Sequence, residues 1–288
     1  MLFDQLRQIT DEGKASGFSA DVIKIQLKEF LILHALNFIY NSPKWSDLVF
    51  TGGTALRILG KTARLSEDLD LDCLAGSFDC KKFSGDLVNY FSQQGIKNTQ
   101  CSLKSKEKVI LIKFPVLHSL GLTEKNKLAT DWLHLKIEIE INRYPSYEIQ
   151  MTPVSSQNMF FVAKHYDFPT LFSNKIGAIL GRKGKIFHGS YDFRGRDFYD
   201  LIWFLENGYL PNLKRAKEIL KAERGVQVKY CADIWKLIGD RIEKIDTKGI
   251  YQDLKNLVPA DQSLKKLSEN FSAIFKQLTQ KPAKRKRK

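Results

Sequence analysis

The spacing of apolar residues changes along the chain and predicts two regions of different structure. In the first region, apolar residues recur at helical spacing over residues 21–40, which predicts a long helix. Alternating or short apolar runs predict strands at residues 48–51, 68–73, 108–114, 133–142 and 159–163. Two more helices are predicted between these strands, at residues 54–59 and 79–94.

Helical spacing takes over in the second region. It predicts helices at residues 171–182, 197–205, 213–222, 228–245 and 263–278. The change falls near Phe168-Pro169-Thr170. We therefore predict an α+β protein: residues 1–165 form a mixed sheet with flanking helices, residues 166–280 form a helical domain, and residues 281–288 form a basic disordered tail.

The charge of the chain narrows the range of partners. Its 46 Lys and Arg residues against 32 Asp and Glu residues give a formal net charge of +14. Such an excess favours polyanionic partners, namely nucleic acid, nucleotides or an acidic protein. A basic protein without such a partner is the alternative, because the excess is spread along the chain. Only residues 281–288, KPAKRKRK, concentrate it.

Composition argues against two classes of protein. The sequence has no apolar run near the ~20 residues that span a bilayer. Its first residues, MLFDQLRQITDEGK, lack the apolar core of a secretory signal. The four cysteines form no CxxC pair and predict neither zinc nor disulfides. We expect a soluble cytoplasmic protein with no membrane partner.

A glycine pair follows the first predicted strand and precedes a predicted helix. Gly52 and Gly53 allow a sharp turn and close approach of a phosphate to the main chain. The N–H groups at the start of the helix favour a phosphate there. Thr54 supplies a hydroxyl donor or caps the helix. This turn is therefore a candidate phosphate site for an NTP.

Paired acids follow in the next strand. Asp68 and Asp70 are two residues apart, so their side chains lie on the same face, ~7 Å apart along the backbone. Carboxylates in this arrangement, together with nucleotide phosphates, bind Mg²⁺, and Mn²⁺ is an alternative ion. The competing interpretation is a solvated strand face that also carries Asp72. That face would be costly, because Asp is a poor strand former and like charges repel.

A third metal ligand is expected from the strand at residues 133–142. Glu138 and Glu140 share one face of it, whereas Ile137, Ile139 and Ile141 share the other. We choose Glu140 as the third ligand, with Glu138 second. A solvated edge strand would show the same pattern.

The helical region adds basic and acidic candidates. Lys175 is positioned on a predicted helix to reach a triphosphate, and Arg182 begins a basic loop beyond it. Asp197 and Asp200 are three apart and share a helix face. The alternatives are a charged helix face at Lys175 and a simple helix cap at Asp197.

Two strings of residues resemble known signatures. Gly52-Gly53-Thr54, followed by Arg64, Ser66, Asp68 and Asp70, resembles the opening motif of the AbiEii/AbiGii toxin family, which includes the mycobacterial MenT toxins. Lys175 followed by Arg196-Asp197-Phe-Tyr-Asp200-Leu201 resembles the second signature of that family. The resemblance spans roughly residues 20–206. The acidic strand departs from the commoner Glu-x-Asn ending, which leaves the third ligand open.

The resemblance implies a fold and an activity. The fold is that of polymerase-β-type nucleotidyltransferases, so the mixed sheet is expected to be nucleotidyltransferase-like. The activity is magnesium-dependent transfer of a nucleoside monophosphate from an NTP to an acceptor, for which the 3′ end of tRNA is our first choice. The biological role is that of a toxin in a toxin–antitoxin or abortive-infection system of phage defence, with a cognate antitoxin as partner. Sequence-specific DNA binding is not expected.

The resemblance also assigns roles to residues. Asp68 and Asp70 bind the metal, Lys175 binds the triphosphate and Asp197 completes the catalytic set. The expected NTP-binding residues share the two signatures or the basic loop: Gly52, Gly53, Thr54, Arg64, Ser66, Lys175, Arg182 and Arg196. Two other functions remain open: a nucleotidyltransferase that modifies a protein or small molecule, and a non-catalytic RNA-binding module.

Overall fold

The computed structural model describes residues 1–105, 108–124, 130–181, 193–258 and 261–280. The predicted tail at 281–288 and the candidate Arg182 lie outside these described residues. Across the described ranges, no helix combines the length and apolar character needed to cross a bilayer.

The chain forms two compact units. The sheet unit comprises Met1–Lys61, Leu65–Asn142 and Met151–His165. The helical unit comprises Thr62–Arg64, Arg143–Gln150 and the described residues from Tyr166 onward. The helical unit therefore includes two short segments that precede its main part in the sequence.

The sheet unit contains the strands and the first helices. Its strands are β1 (Val49–Thr51), β2 (Asp68–Cys73), β3 (Gln100–Lys104), β4 (Val109–Pro115), β5 (Trp132–Ile141), β6 (Ile149–Ser156) and β7 (Met159–Tyr166), the last two of which extend slightly past its bounds. Its helices are α1 (Leu2–Ala15), α2 (Ala20–Tyr40), α3 (Gly52–Leu59) and α4 (Cys80–Gln93).

The sheet is mixed, with strand order β3-β4-β5-β2-β1-β7-β6. β2 pairs in parallel with β5 and antiparallel with β1, whereas β1 pairs in parallel with β7. Leu69 and Leu71 of β2 and Ile137 and Ile139 of β5 are buried, and α2 packs against these two strands. Because side chains alternate along a strand, the acidic residues of β2 and β5 lie on the opposite face of the sheet.

Helices build most of the core of the helical unit, to which Tyr166 at the end of β7 also belongs. These helices are α5 (Phe168–Gly181), α6 (Gly195–Glu206), α7 (Leu213–Arg224), α8 (Cys231–Ile242), α9 (Lys248–Leu254), α10 (Asp261–Glu269) and α11 (Phe271–Gln280). α5 packs against α6, α7 and α8, and α6 packs against α9 and α11. The rings of Phe172 and Phe204 stack between α5 and α6 at 4.4 Å. This packing holds α5 and α6 side by side.

The predicted α+β fold class is confirmed, with a mixed sheet in the first part of the chain and helices in the second. The sequence prediction missed α1, β3 and β6. The single helix predicted over 228–245 is present but shorter: α8 ends at Ile242 and begins at Cys231, because the Asp233 carboxylate accepts hydrogen bonds from the N–H groups of Lys229 and Tyr230. A single helix over 263–278 was wrong. α10 ends before Asn270, whose side-chain amide donates to the carbonyl of Lys266.

Candidate active site

A sharp bend follows β1 and places backbone against a carboxylate. β1 ends at Thr51, Gly52 has a φ of +74°, and α3 begins there. A residue with a side chain is strained at this φ. A Cβ built on Gly52 would lie 1.9 Å from Oδ2 of Asp70, so no side chain fits. The carboxylate of Asp70 therefore lies directly against the glycine bend formed by Gly52 and Gly53.

The glycine bend is also the N-terminus of α3. The first N–H groups of a helix have no partner within the helix and carry a partial positive charge. This end of the helix stabilises the nearby negative charge of Asp70, and a phosphate group would be stabilised in the same way. The bend thus places backbone that could bind an anion beside a carboxylate that could bind a cation.

The acids of β2 share one face of the sheet. Asp68, Asp70 and Asp72 are half-buried and alternate with Leu69 and Leu71, which are buried. Among these acids, Asp70 lies opposite Thr51 in β1, the residue that precedes the bend. Of the two acids predicted to bind metal, Asp70 is thus placed at the bend and Asp68 one alternate position before it.

The pairing of β2 with β5 decides which glutamate lies beside which aspartate. Asp70 pairs with Glu138, and Asp72 pairs with Glu140. Neighbouring strands lie ~4.8 Å apart, so Glu138 is on the strand next to Asp70. Glu140, the first choice from sequence, lies one alternate position farther along the sheet. We call the face that carries Asp68, Asp70, Asp72, Glu138 and Glu140 the acid face.

A lysine lies on the acid face among these carboxylates. Lys136 of β5 pairs with Asp68 of β2. Its Nζ contacts the Glu138 carboxylate and lies 4.0 Å from Oδ2 of Asp68. Burial acts to lower the pKa of Lys136, but Glu138, Asp68 and Asp70 outweigh it, so the pKa is raised. The sequence prediction did not include this residue.

The acid face fits a divalent ion that brings part of its own ligand shell. In the ranges the structure describes, no three His, Cys, Asp or Glu side chains converge closely enough to hold a metal by themselves. Mg²⁺ usually takes one or two carboxylates together with substrate phosphates and water. Asp68 and Asp70 could supply the two carboxylates, and the ammonium of Lys136 lies 4.0 Å from the Asp68 carboxylate, so a cation is accommodated there.

Two residues of the first signature hold the backbone instead of facing a ligand. Thr54 is 1% exposed, and its hydroxyl donates to the carbonyl of Asp68. The hydroxyls of Thr54 and Ser66 lie 2.7 Å apart, and the N–H of Ser66 donates to Glu29 at 3.0 Å. These bonds connect α3 to the start of β2 and so fix the glycine bend relative to the acids.

A second charged cluster lies inside the helical unit. The guanidinium of Arg64 donates two hydrogen bonds, of 2.6 and 2.7 Å, to the carboxylate of Asp200. The ammonium of Lys175 on α5 lies 2.9 Å from carboxylate oxygens of both Asp197 and Asp200 on α6. We call these four residues the buried ion network, because Arg64, Asp197 and Asp200 are each at most 5% exposed.

Mutual attraction keeps the buried ion network charged. Burial acts to raise the pKa of Asp200, but the charges of Arg64 and Lys175 outweigh it and hold the pKa below its usual value. Burial acts to lower the pKa of Lys175, but Asp197 and Asp200 raise it above its usual value. The pKa of Arg64 is likewise raised, chiefly by Asp200. A buried charge is tolerated only with such partners.

Asp200 was not among the candidates chosen from sequence, although its spacing was noted. It receives hydrogen bonds from Arg64 and an ion pair from Lys175, which were both candidates. The detectable signal was its position three residues after Asp197, on the same face of α6. Asp200, which the sequence prediction left out, thus joins Arg64 to Lys175, and Lys175 in turn contacts Asp197.

Arg196 is half-buried near the start of α6, and its backbone N–H donates to Asp253 at 3.3 Å. The described contacts therefore position the Arg196 backbone. Its proposed role toward an NTP stays a prediction.

Comparison with protein families gives one match over most of the chain. The model of the family described as "Nucleotidyl transferase AbiEii toxin, Type IV TA system" matches residues 35–286. This range includes every candidate residue named above. No curated protein matches the sequence.

Two of the solved structures that align with this chain come from different organisms. MenT4, a nucleotidyltransferase toxin from Mycobacterium tuberculosis H37Rv, aligns with a TM-score of 0.54 and 14% identity over 96% of this chain and 90% of its own. JHP933 from Helicobacter pylori aligns with a TM-score of 0.47 and 18% identity over 88% of this chain and 91% of its own. At 14% identity, the similarity to MenT4 establishes a shared fold and nothing finer.

Proposed function

Because this chain belongs to the AbiEii family of nucleotidyl transferase toxins, we propose that it transfers a nucleoside monophosphate from an NTP to the 3′ end of tRNA with the aid of Mg²⁺. Family membership makes it a nucleotidyltransferase and the toxin of a type IV toxin–antitoxin system, which implies an antitoxin partner. The proposal adds the acceptor, the metal and the residues that do the work.

One observation carries the proposal for the metal: the Asp70 carboxylate lies against the glycine bend, with Asp68 on the same face of β2. This arrangement would place metal-binding oxygens beside an anion-binding helix terminus. When bound there, Mg²⁺ or Mn²⁺ would neutralise charge on the phosphates and polarise the α-phosphate. Asp68 and Asp70 are the proposed ligands.

We assign the third carboxylate to Glu138. It pairs with Asp70 across β2 and β5, whereas Glu140 pairs with Asp72. Glu140 was preferred from sequence, where the register was unknown. Since neither glutamate is shown to bind metal, a comparison of the two by substitution tests this assignment.

The other residues of the sheet unit would bind and orient the nucleotide. The backbone of Gly52 and Gly53 is proposed to bind phosphate, because it starts α3 and admits no side chain at Gly52. Thr54 and Ser66 are proposed as positioning residues, since their hydroxyls bond to each other and Thr54 bonds to the backbone of Asp68.

The buried ion network would orient a single ammonium. Lys175 is the proposed triphosphate-binding residue, and its side chain is 12% exposed. Asp197 and Asp200 fix the position of its ammonium, while Arg64 fixes Asp200. We therefore propose that Arg64 acts through Asp200 and does not contact the NTP itself.

The reaction would be an in-line displacement at the α-phosphorus. The acceptor hydroxyl forms the new P–O bond and loses its proton, and the bond to the β-phosphate oxygen breaks to release pyrophosphate. Catalysis by these residues would consist of positioning and charge neutralisation.

Two features support RNA as the acceptor. The net charge of +14 favours a polyanion. The resemblance of the two signatures to the AbiEii/AbiGii family favours the 3′ end of tRNA in particular. The NTP and the tRNA are both present in the cytoplasm, where we place the protein. Sequence-specific DNA binding is not part of the proposal.

The decisive assay incubates the full-length protein with each labelled NTP and total cellular RNA, with and without Mg²⁺. We expect label in the tRNA-sized fraction only when Mg²⁺ is present. Label in protein would instead support a protein-modifying enzyme. RNA retarded in a native gel without label would support a non-catalytic RNA-binding module, and either result contradicts the proposal.

The same assay tests the metal ligands. Asp70→Asn is expected to reduce transfer by about a thousandfold or more, because the carboxylate at the bend is lost. Asp72→Asn is the matched control on the same face, and it should retain most of the activity. Unchanged thermal unfolding of both variants would show that folding is preserved. Normal transfer by Asp70→Asn would exclude the proposed site.

A further inference from the structure

Lys136 is the cation that the structure places among the acids of the acid face. Its Nζ contacts the carboxylate of Glu138 and lies 4.0 Å from the carboxylate of Asp68. Asp70 also contributes to the electrostatic field at this ammonium. The side chain is 36% exposed, so it is free to move without a loss of core packing.

The position of Lys136 follows from the sheet itself. Lys136 and Glu138 are two apart on β5 and share its face, and the parallel register sets Lys136 beside Asp68. On its other side, Lys136 pairs with Leu111 of β4, which brings no competing acid. The geometry thus directs the ammonium toward the same carboxylates that are proposed to bind metal.

An ammonium and a divalent ion cannot both use these oxygens fully. Each neutralises the repulsion among the carboxylates, and each needs their lone pairs. A metal that binds Asp68 and draws in Glu138 must therefore displace the ammonium of Lys136. The displaced ammonium would be stabilised again by a phosphate, which carries the opposite charge.

We propose that Lys136 is a built-in competitor for the divalent ion, which keeps the acid face from binding metal strongly until a nucleotide arrives. This inference rests on the proposed function and adds an order to it. Metal and NTP bind cooperatively, because the triphosphate both supplies metal ligands and accepts the lysine.

Metal binding without any chemistry tests the proposal. Mn²⁺ is titrated into the full-length protein and free Mn²⁺ is measured by electron paramagnetic resonance, with and without a non-hydrolysable NTP analogue. For Lys136→Met without the analogue, we expect the Kd for Mn²⁺ to fall about two- to fivefold, the effect of removing one partly exposed charge. The decrease in the Kd for Mn²⁺ that the analogue causes should be smaller in this variant by a similar factor.

Two variants serve as controls. Lys113→Met removes a lysine from β4 that pairs with His134 instead of an acid, so it should leave the Kd for Mn²⁺ unchanged. Lys136→Arg keeps the positive charge and should bind Mn²⁺ close to wild type. An equal fall in the Kd for Mn²⁺ in Lys113→Met would show that any lost positive charge on the sheet has this effect, and it would overturn the inference.

The outcomes separate this inference from the proposed function. If Asp70→Asn loses Mn²⁺ binding and transfer but Lys136→Met does not tighten binding, the competitor role is wrong and the proposed function stands. If wild type and Asp70→Asn bind Mn²⁺ equally and transfer nucleotide equally, both proposals are wrong.

Discussion

The acid face and the buried ion network show two opposite ways to arrange carboxylates. On the acid face, five half-buried or exposed acids share the surface with Lys136. In the buried ion network, Asp197 and Asp200 are matched by Arg64 and Lys175 at 2.6–2.9 Å. The named acids of the first cluster therefore outnumber its lysine, whereas the second cluster is neutralised by its own members.

This difference distinguishes a surface that accepts a ligand from one that holds a side chain in place. An excess of partly exposed carboxylates favours an added cation. A buried network with balanced charges gains nothing from an added metal ion, and it loses much when one member is removed. We therefore expect substitutions on the acid face to change metal binding. Substitutions in the buried ion network should instead lower the free energy of unfolding.

The largest expected effect on the acid face comes from closing the glycine bend. Gly52→Ala would put a Cβ where the Asp70 carboxylate lies, so we expect transfer to fall about a thousandfold, as in Asp70→Asn. Gly17→Ala is the matched control, since Gly17 also has a φ of +74° but no atom within 4 Å of the added Cβ. It should lower stability by ~1 kcal/mol and leave transfer intact. Equal activity of the two variants would refute a role for this contact.

The buried ion network is tested by stability. Asp200→Asn leaves Arg64 and Lys175 without their shared carboxylate, and we expect the free energy of unfolding to fall by about 3–5 kcal/mol in urea denaturation. Asp86→Asn is the control, because its ion pair with Lys44 is exposed and should contribute no more than ~1 kcal/mol. Similar losses in the free energy of unfolding for both variants would show that burial does not make the ion pairs of Asp200 more important for stability than the exposed pair of Asp86.

Acidification sharpens the same test. The folded protein holds the pKa of Asp200 below its usual 3.8. A lowered pKa stabilises the folded state at every pH above the usual value, and the contribution is lost as the pH falls below it. The difference in stability between wild type and Asp200→Asn should therefore be constant near neutral pH and narrow below about pH 4. A difference that widens on acidification would contradict this sign.

The smallest effect distinguishes the two glutamates of β5. Glu138→Gln is expected to reduce transfer about tenfold and to weaken Mn²⁺ binding, because Glu138 lies beside Asp70. Glu140→Gln makes the same chemical change next to Asp72 and should have little effect. A greater loss in Glu140→Gln would restore the choice made from sequence.

Local patterns predicted the elements whose burial is regular. The alternation in β2 and β5 is readable because a single side of each strand is buried. β3 and β6 were missed because they lack this one-sided burial. Most of their residues are exposed or half-buried, and no clear alternation of apolar residues marks them. β6 also contains Pro153, which argues against a strand.

The site depended on information that local patterns do not contain. The parallel register of β2 and β5 places Glu138 beside Asp70, and register comes from the assembled sheet. Arg64 and Asp200 are 136 positions apart, so their pairing cannot be read from spacing. Motifs could indicate which residues matter, but not which of them touch a ligand and which support another residue.

The assignment of Thr62–Arg64 to the helical unit has a consequence for dissecting the protein. A fragment that starts at Tyr166 would contain Asp200 and Lys175 but would lack the arginine that donates two hydrogen bonds to that aspartate. Any fragment that begins after Arg64 therefore lacks one of the two cations that balance the Asp200 carboxylate. Chimaeras and expressed fragments of the helical unit must therefore include Thr62–Arg64. This tripeptide precedes the next segment of the unit by almost eighty residues.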